Sequence, residues 1–225
     1  MVSRKQAFLD VAILLVAVGS VWSLRFQGVK YIGVLSMTVG ILLVVALLRW
    51  RRQSLSDIGW VTVFRGSSLA SRTMEVMGVT ALAMVGGWLL GAGIFGAPEE
   101  SAAITQMSDN LWFFLLDITV LVWVFIAFGE ELVFRGMLLS RLEVAFGLQG
   151  RMNIAVVSLT QGVIFGAGHA SQGGTGMLMT GAIGTALGVY FMTRGQRSLI
   201  PLVLSHGIID TLVLGGSWLS RTPGG

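Results

Sequence analysis

Seven long apolar runs, separated by short polar segments, occupy most of this 225-residue chain. A helix that crosses a bilayer needs about 20 mainly apolar residues. The runs approach this length, although the last two are short, and the pattern predicts an all-α fold, a polytopic membrane helix bundle with about seven transmembrane helices. They extend roughly over Phe8 to Leu24, Tyr31 to Leu48, Met74 to Phe95, Leu111 to Leu139, Met152 to His169, Met177 to Thr193 and Leu199 to Leu214.

The composition excludes several classes of protein. Only 12% of the residues are charged, whereas soluble domains contain about 25%. The basic residues are spread between the apolar runs and form no single patch, so we expect no nucleic-acid binding despite the net charge of +4. The chain has no cysteine, which excludes disulfides, a thiolate nucleophile and cysteine metal sites.

The positions of the basic residues predict the orientation, because Lys and Arg accumulate in cytoplasmic loops. With the N-terminus in the cytoplasm, twelve of the fifteen Lys and Arg residues fall on the inner side, and Arg25, Lys30 and Arg221 fall outside. We therefore expect a multi-pass protein of the cell membrane, surrounded by lipids, with a cytoplasmic N-terminus. The longest polar connection predicts an interfacial helix around 54–66, with a solvated linker as the alternative.

Ionisable side chains inside the apolar runs indicate a polar site within the bundle. Glu130, Glu131 and Arg135 lie in the fourth run, and the only two histidines, His169 and His206, lie in later runs. A charged side chain at the centre of a membrane helix costs at least about 2.5 kcal/mol on insertion scales. Several such residues therefore predict a functional site.

Helical spacing separates the roles of the two glutamates. Glu131 lies one turn before Arg135 on the same helix face, so the two side chains can neutralise each other. Glu130 then points elsewhere without a local counter-ion, which suits a general base. The alternative is that both acids only satisfy a polar helix interface or bind Arg135 between them.

The two histidines have neighbours at helical spacing. Phe165 precedes His169 by four residues, and His206 precedes Asp210 by four. The aspartate can therefore fix the tautomer of His206 or act beside it. Taken alone, a histidine on an apolar helix face is more often a hydrogen-bonded packing residue than a catalyst.

Three motifs in this order resemble those of a known family. They are Glu130-Glu131-Leu-Val-Phe-Arg135, Phe165-Gly-Ala-Gly-His169 and His206-Gly-Ile-Ile-Asp210. The chain resembles the CPBP intramembrane endopeptidases, also called the Abi family, which include CAAX prenyl proteases and bacteriocin-processing enzymes. The resemblance implies that 111–215 form the catalytic core of one membrane domain, and that 1–110 supply its N-terminal transmembrane helices and interfacial segment.

The resemblance implies hydrolysis of a peptide bond in a membrane-associated substrate, such as a prenylated or leader peptide. By this analogy Glu130 activates water with His169, and His206 and Asp210 stabilise the oxyanion. Glu131, Arg135 and Phe165 are the supporting residues. Many members carry asparagine where this chain has Asp210, and an ionised carboxylate cannot donate a hydrogen bond to an oxyanion. Either Asp210 is protonated, or it orients His206 while another donor serves the oxyanion.

The resemblance leaves the metal question open, since the family is described both as zinc proteases and as metal-free glutamate proteases. The sequence has no HExxH motif, and we favour a mechanism without a cofactor. Zn²⁺ is the alternative, with Glu130, His169 and His206 as ligands. Two other functions use the same residues: a proton or ion carrier, and a non-catalytic immunity or scaffold protein of the membrane.

Overall fold

The computed structural model of this protein describes residues 2–24, 29, 31–61, 68–99, 104, 108–194 and 197–221. All regular structure within these residues is helical, which confirms the predicted all-α bundle. The seven long helices are α1 (Arg4–Ser23), α2 (Ile32–Trp50), α3 (Leu69–Phe95), α4 (Leu111–Phe146), α5 (Gly150–Gly168), α6 (Gly173–Thr193) and α7 (Ile200–Ser220). Two short 3₁₀ turns, Leu55–Ile58 and Ala170–Gln172, precede α3 and α6.

Six of the seven helices are long and apolar enough to cross a membrane. The helix outside this group is α5, whose 19 residues include the polar side chains Arg151, Asn153 and Gln161. These residues lower the mean hydropathy of α5. Two of them, Asn153 and Gln161, are buried in the protein. The chain is a multi-pass membrane protein.

Helix α4 carries the first predicted motif and has an unusual winding. It is continuous for 36 residues, well beyond the predicted end at Leu139. Two stretches, Asp117–Phe128 and Glu131–Leu138, are π-helical, so each turn closes one residue later than in an α-helix. Such stretches are frequent at functional sites. Glu130 lies between them, in the interior of the helix.

Glycines allow α6 to pack closely against two neighbouring helices. A methyl group at Gly162 of α5 would lie 2.8 Å from the Gly181 carbonyl oxygen, and one at Gly87 of α3 would lie 2.7 Å from the Met179 Cα atom. No side chain fits at these contacts. Small residues serve this purpose in membrane bundles, where helices approach each other through their backbones.

The described part of the predicted interfacial helix around 54–66 contains the 3₁₀ turn Leu55–Ile58, and Ile58 is fully buried. The backbone N–H of Leu199 donates to the Gly59 carbonyl at 2.8 Å, so the turn is attached to the start of α7. The last part of the predicted helix, 62–66, lies outside the described residues.

A buried ion cluster joins α1, the end of α2 and the last turns of α4. The Asp10 carboxylate accepts from Arg51 Nη2 at 2.6 Å and from Arg141 Nε at 2.8 Å, and Arg141 Nη2 donates to Gln53 Oε1 at 2.6 Å. We call Asp10, Arg51, Gln53 and Arg141 the Asp10 cluster. The sequence analysis did not single it out.

Candidate active site

Three helices bring the predicted site residues together. Helix α4 supplies Glu130, Glu131 and Arg135, the end of α5 supplies Phe165 and His169, and α7 supplies His206 and Asp210. All seven residues line one cavity of about 1090 Å³. The three sequence motifs, which are far apart along the chain, therefore meet inside the bundle.

His206 lies at the centre of the site, with a carboxylate oxygen near each ring nitrogen. Its Nδ1 atom is 2.9 Å from Glu131 Oε1. Its Nε2 atom is 3.4 Å from Asp210 Oδ2 and 4.0 Å from Glu130 Oε2. The sequence left open whether Asp210 orients this ring or acts beside it. In the structure, Glu131 forms the shorter contact and Asp210 faces the opposite nitrogen.

The predicted pair of Glu131 and Arg135 is confirmed, with Arg135 Nη1 donating to Glu131 Oε1 at 3.1 Å. Neither side chain has exposed surface. The same oxygen also lies at hydrogen-bond distance from His206, so Glu131 links a buried cation to the imidazole. We call Glu131, Arg135 and His206 the Glu131 relay.

Part of the Glu131 relay has no hydrogen-bond partner among the described residues. These atoms are Glu131 Oε2 and Arg135 Nε and Nη2. The Arg135 guanidinium instead lies over the Phe165 ring, 4.4 Å from its centroid, an arrangement that is favourable for a cation. A buried polar atom without a partner costs about 1–3 kcal/mol. Atoms of this kind beside a cavity are suited to bind water or polar groups of a ligand.

His169 is held at the point where α5 ends. Its Nδ1 atom lies 2.9 Å from the Phe165 carbonyl oxygen. Because a carbonyl can only accept, Nδ1 carries the proton in this hydrogen bond, and Nε2 of the neutral ring is the free acceptor. The imidazole also lies against the Phe165 ring, with 4.7 Å between the centroids. These contacts fix a ring whose Nε2 atom can take a proton.

The described residues contain no group of three or more His, Asp or Glu side chains arranged to hold a metal ion. The alternative zinc ligands Glu130, His169 and His206 therefore do not form a ligand set in this structure, although all three line the cavity.

Two carboxylates were missed by the sequence analysis although both lie in apolar runs. Asp10 is completely buried and forms the Asp10 cluster. Asp117, in the first π-helical stretch of α4, lines the cavity of the site. The signal that identified Glu130, an ionisable residue in a membrane span, applied equally to these two residues.

Comparison with known families identifies one match. Residues 110–212 match the family model described as Type II CAAX prenyl endopeptidase Rce1-like. This range contains every residue of the three motifs. No curated protein and no solved structure gave a significant match to the chain.

Proposed function

We propose, from the match of residues 110–212 to the Rce1-like family model of type II CAAX prenyl endopeptidases, that Glu130 is the general base of a peptide-bond hydrolysis. This match supports a membrane protease with a peptide substrate. It also confirms the relationship to CPBP and CAAX proteases that the three motifs predicted. The catalytic type and the role of each residue are our proposal.

The observation that carries this proposal is the different bonding of two adjacent glutamates. Glu131 is fully buried and is bonded to Arg135 and His206. Glu130 lines the cavity, and its nearest ionic partner among the described residues is His206 Nε2 at 4.0 Å, beyond hydrogen-bond distance. A carboxylate without a direct hydrogen bond, next to a cavity, is available to bind a water molecule and take its proton.

The proposed reaction begins when Glu130 removes a proton from water in the cavity, with His169 Nε2 as a second acceptor nearby. The resulting hydroxide attacks the carbonyl carbon of the scissile bond and forms a tetrahedral oxyanion. Glu130 then returns the proton to the leaving amine as the C–N bond breaks. Each proton is accounted for without any group other than water, Glu130 and the peptide.

His206 is the proposed donor to the oxyanion. Carboxylates face both ring nitrogens, since Glu131 lies at Nδ1 and Asp210 at Nε2. Carboxylate oxygens only accept when ionised, so this environment favours the imidazolium, which carries a proton on each nitrogen. The Nε2 proton then points to the side of the ring where Glu130 and Asp210 lie. Asp210 acts in this scheme by keeping a proton on Nε2, which explains how a carboxylate can replace the asparagine of other members.

The shape of the cavity supports a membrane-associated substrate. Apolar residues from α1, α2 and α4 form much of its wall, for example Leu14, Met37 and Val122. We propose that the substrate is a prenylated or leader peptide that enters from the membrane. We also propose that 111–215 form the catalytic core, that 1–110 complete its wall, and that the protein lies in the cell membrane with a cytoplasmic N-terminus. Arg4, Arg51 and Arg197 support this orientation, because all three contact residues of α1 or the last turns of α4 at one end of the bundle.

The test is cleavage of a peptide library by the full-length protein in proteoliposomes. We expect Glu130→Ala to lower the cleavage rate by about 10²–10⁴-fold without changing the yield or the thermal unfolding temperature. Glu75→Gln is the matched control, since Glu75 is a partly exposed carboxylate that accepts from Arg194 and Tyr190 and does not line the cavity. Unchanged cleavage by Glu130→Ala would refute the assignment. Proton flux without any peptide product would support the carrier instead.

A further inference from the structure

Asp117 is a carboxylate inside a membrane-spanning helix to which the proposed reaction assigns no role. It is half-buried and lines the cavity together with Glu130 and His169. No described residue donates a hydrogen bond to its carboxylate or forms an ion pair with it. Ionisable residues inside membrane helices are costly and commonly mark the path of a substrate.

The π-helical winding explains how Asp117 and Glu130 come to line the same cavity. The two residues are 13 positions apart on α4. A straight α-helix turns 100° per residue and would place them about 140° apart around the axis. The stretch Asp117–Phe128 is π-helical, and each of its residues turns through a smaller angle because the turn contains more residues. This reduced rotation is consistent with the positions of both carboxylates on the cavity wall.

The charge of the cavity wall favours cationic ligands. Its described lining residues include the five acids Glu99, Asp117, Glu130, Glu131 and Asp210. The acids outnumber the cations of the described wall, which are one arginine and His206, an imidazolium in the proposed reaction. That arginine, Arg135, is bonded to Glu131. Clefts lined by charges of one sign concentrate ligands of the opposite sign.

We propose that Asp117 is a specificity-determining residue that binds a Lys or Arg side chain of the peptide substrate. The proposal rests on the proposed function and names a feature of its substrate. Thirteen helical residues span at most about 20 Å, and an extended peptide advances about 3.3 Å per residue. The cationic residue therefore lies at most about six positions from the scissile bond.

The experiment uses an N-acetylated peptide library, so that the cations are side chains only, and identifies cleaved bonds by mass spectrometry. We expect Lys and Arg to be enriched at one position, at most about six residues from the cleaved bond. Replacing that Lys or Arg of the peptide by Gln should lower kcat/KM about tenfold, as for loss of a hydrogen bond to a charged group. Asp117→Asn should remove the preference, so that the Lys and Gln peptides are cleaved with equal kcat/KM.

Two further variants separate a local contact from a general charge effect. Asp117→Lys should shift the preference from Lys to Glu at the same position. Asp109→Asn should keep the Lys preference, because Asp109 is an exposed carboxylate just before the same helix and does not line the cavity. The proposal is overturned if the peptides cleaved by the wild-type protein show no enrichment of Lys or Arg. It is also overturned if the preference for Lys or Arg survives Asp117→Asn.

A binding measurement distinguishes failure of this proposal from failure of the proposed function. The Glu130→Ala variant is titrated with two peptides that differ only in Lys or Gln. We expect about tenfold tighter binding of the Lys peptide, and equal binding after Asp117→Asn is added. If Glu130→Ala binds the Lys and Gln peptides equally, both with and without Asp117→Asn, the role of Asp117 is overturned even if the wild-type protein cleaves peptides. If the wild-type protein cleaves no peptide but Glu130→Ala still binds the Lys peptide more tightly than the Gln peptide, only the peptidase assignment is contradicted.

Discussion

The Asp10 cluster and the Glu131 relay are both buried ion groups, but they differ in how completely they are bonded. Both oxygens of Asp10 accept from arginines, and Arg141 donates to Gln53 as well. In the Glu131 relay, one carboxylate oxygen and two guanidinium nitrogens have no partner among the described residues. The first group lies away from the cavity, and the second lines it.

This difference separates stability from function in physical terms. The Asp10 cluster joins helices through a buried carboxylate whose two oxygens are both bonded to arginines, so this acid has no unbonded oxygen for a ligand. The Glu131 relay keeps part of its hydrogen-bonding capacity free at the cavity, at a cost in stability. Variants of the two groups should therefore differ in whether they alter stability alone or stability and catalysis together.

The largest effect is expected for Glu131→Gln. The substitution leaves Arg135 buried without a counter-ion, which should destabilise the fold by about 3–5 kcal/mol. It should also lower the cleavage rate per folded molecule by more than about 100-fold, because His206 loses the carboxylate at Nδ1. Thermal unfolding in detergent and a cleavage assay on folded protein measure the two effects. An unchanged unfolding temperature would contradict the predicted loss of stability. Glu130→Gln, which changes only the neighbouring carboxylate, is the control for the unfolding temperature.

Asp10→Asn should affect stability and leave catalysis unchanged. Arg51 and Arg141 would remain buried without their shared acid, and the expected cost is about 3 kcal/mol. Activity per folded molecule should stay within about twofold, since Asp10 does not line the cavity. Glu75→Gln removes an exposed ion pair for comparison and should cost below about 1 kcal/mol. A loss of activity per folded molecule in Asp10→Asn would contradict the proposed difference between the Asp10 cluster and the Glu131 relay.

The sequence predicted contacts within a helix better than contacts between helices. The pair of Glu131 and Arg135 was predictable because a spacing of four residues puts two side chains on one face. The contact of Glu131 with His206 joins residues 75 positions apart. Such a contact depends on which faces of two helices meet, and spacing along the chain does not contain that information. Asp10 and Arg141, 131 positions apart, show the same limit.

The depth of the site was also beyond the sequence. The apolar run predicted an end of the fourth helix near Leu139, whereas the helix continues through polar residues to Phe146. Its last turns are stabilised by partners from other elements, including the bonds of Arg4 to the Ala145 and Phe146 carbonyls. Hydropathy marks where a helix is apolar and does not mark where it ends. The π-helical winding had no recognisable sequence signal either.

Asp210→Asn should have a smaller effect than the substitutions above. The asparagine carbonyl can still accept from His206 Nε2, and its amide adds a donor that can reach the oxyanion. We expect kcat/KM to stay within about tenfold of the wild-type value. Asp210→Leu, which cannot form either hydrogen bond, should lose about 10²–10³-fold. If Asp210→Asn is as inactive as Glu130→Ala, Asp210 has a direct role in proton transfer and the proposed scheme is wrong.

The smallest effect is expected for Asp57→Asn. Asp57 is a hydrogen-bonded carboxylate outside the membrane spans. The backbone N–H and the hydroxyl of Ser54 donate to Asp57 at 2.7 and 2.9 Å, and these hydrogen bonds lower the pKa of the Asp57 carboxyl from its ordinary 3.8. Its stabilising contribution is therefore present above that value and is lost as the pH falls through the lowered pKa. At neutral pH the substitution should cost below about 1 kcal/mol, or less than about 4 °C in unfolding temperature. The difference from wild type should close in acid. A cost at neutral pH as large as that of Asp10→Asn would mean that burial in the bundle is not what distinguishes the Asp10 cluster from an exposed capping carboxylate.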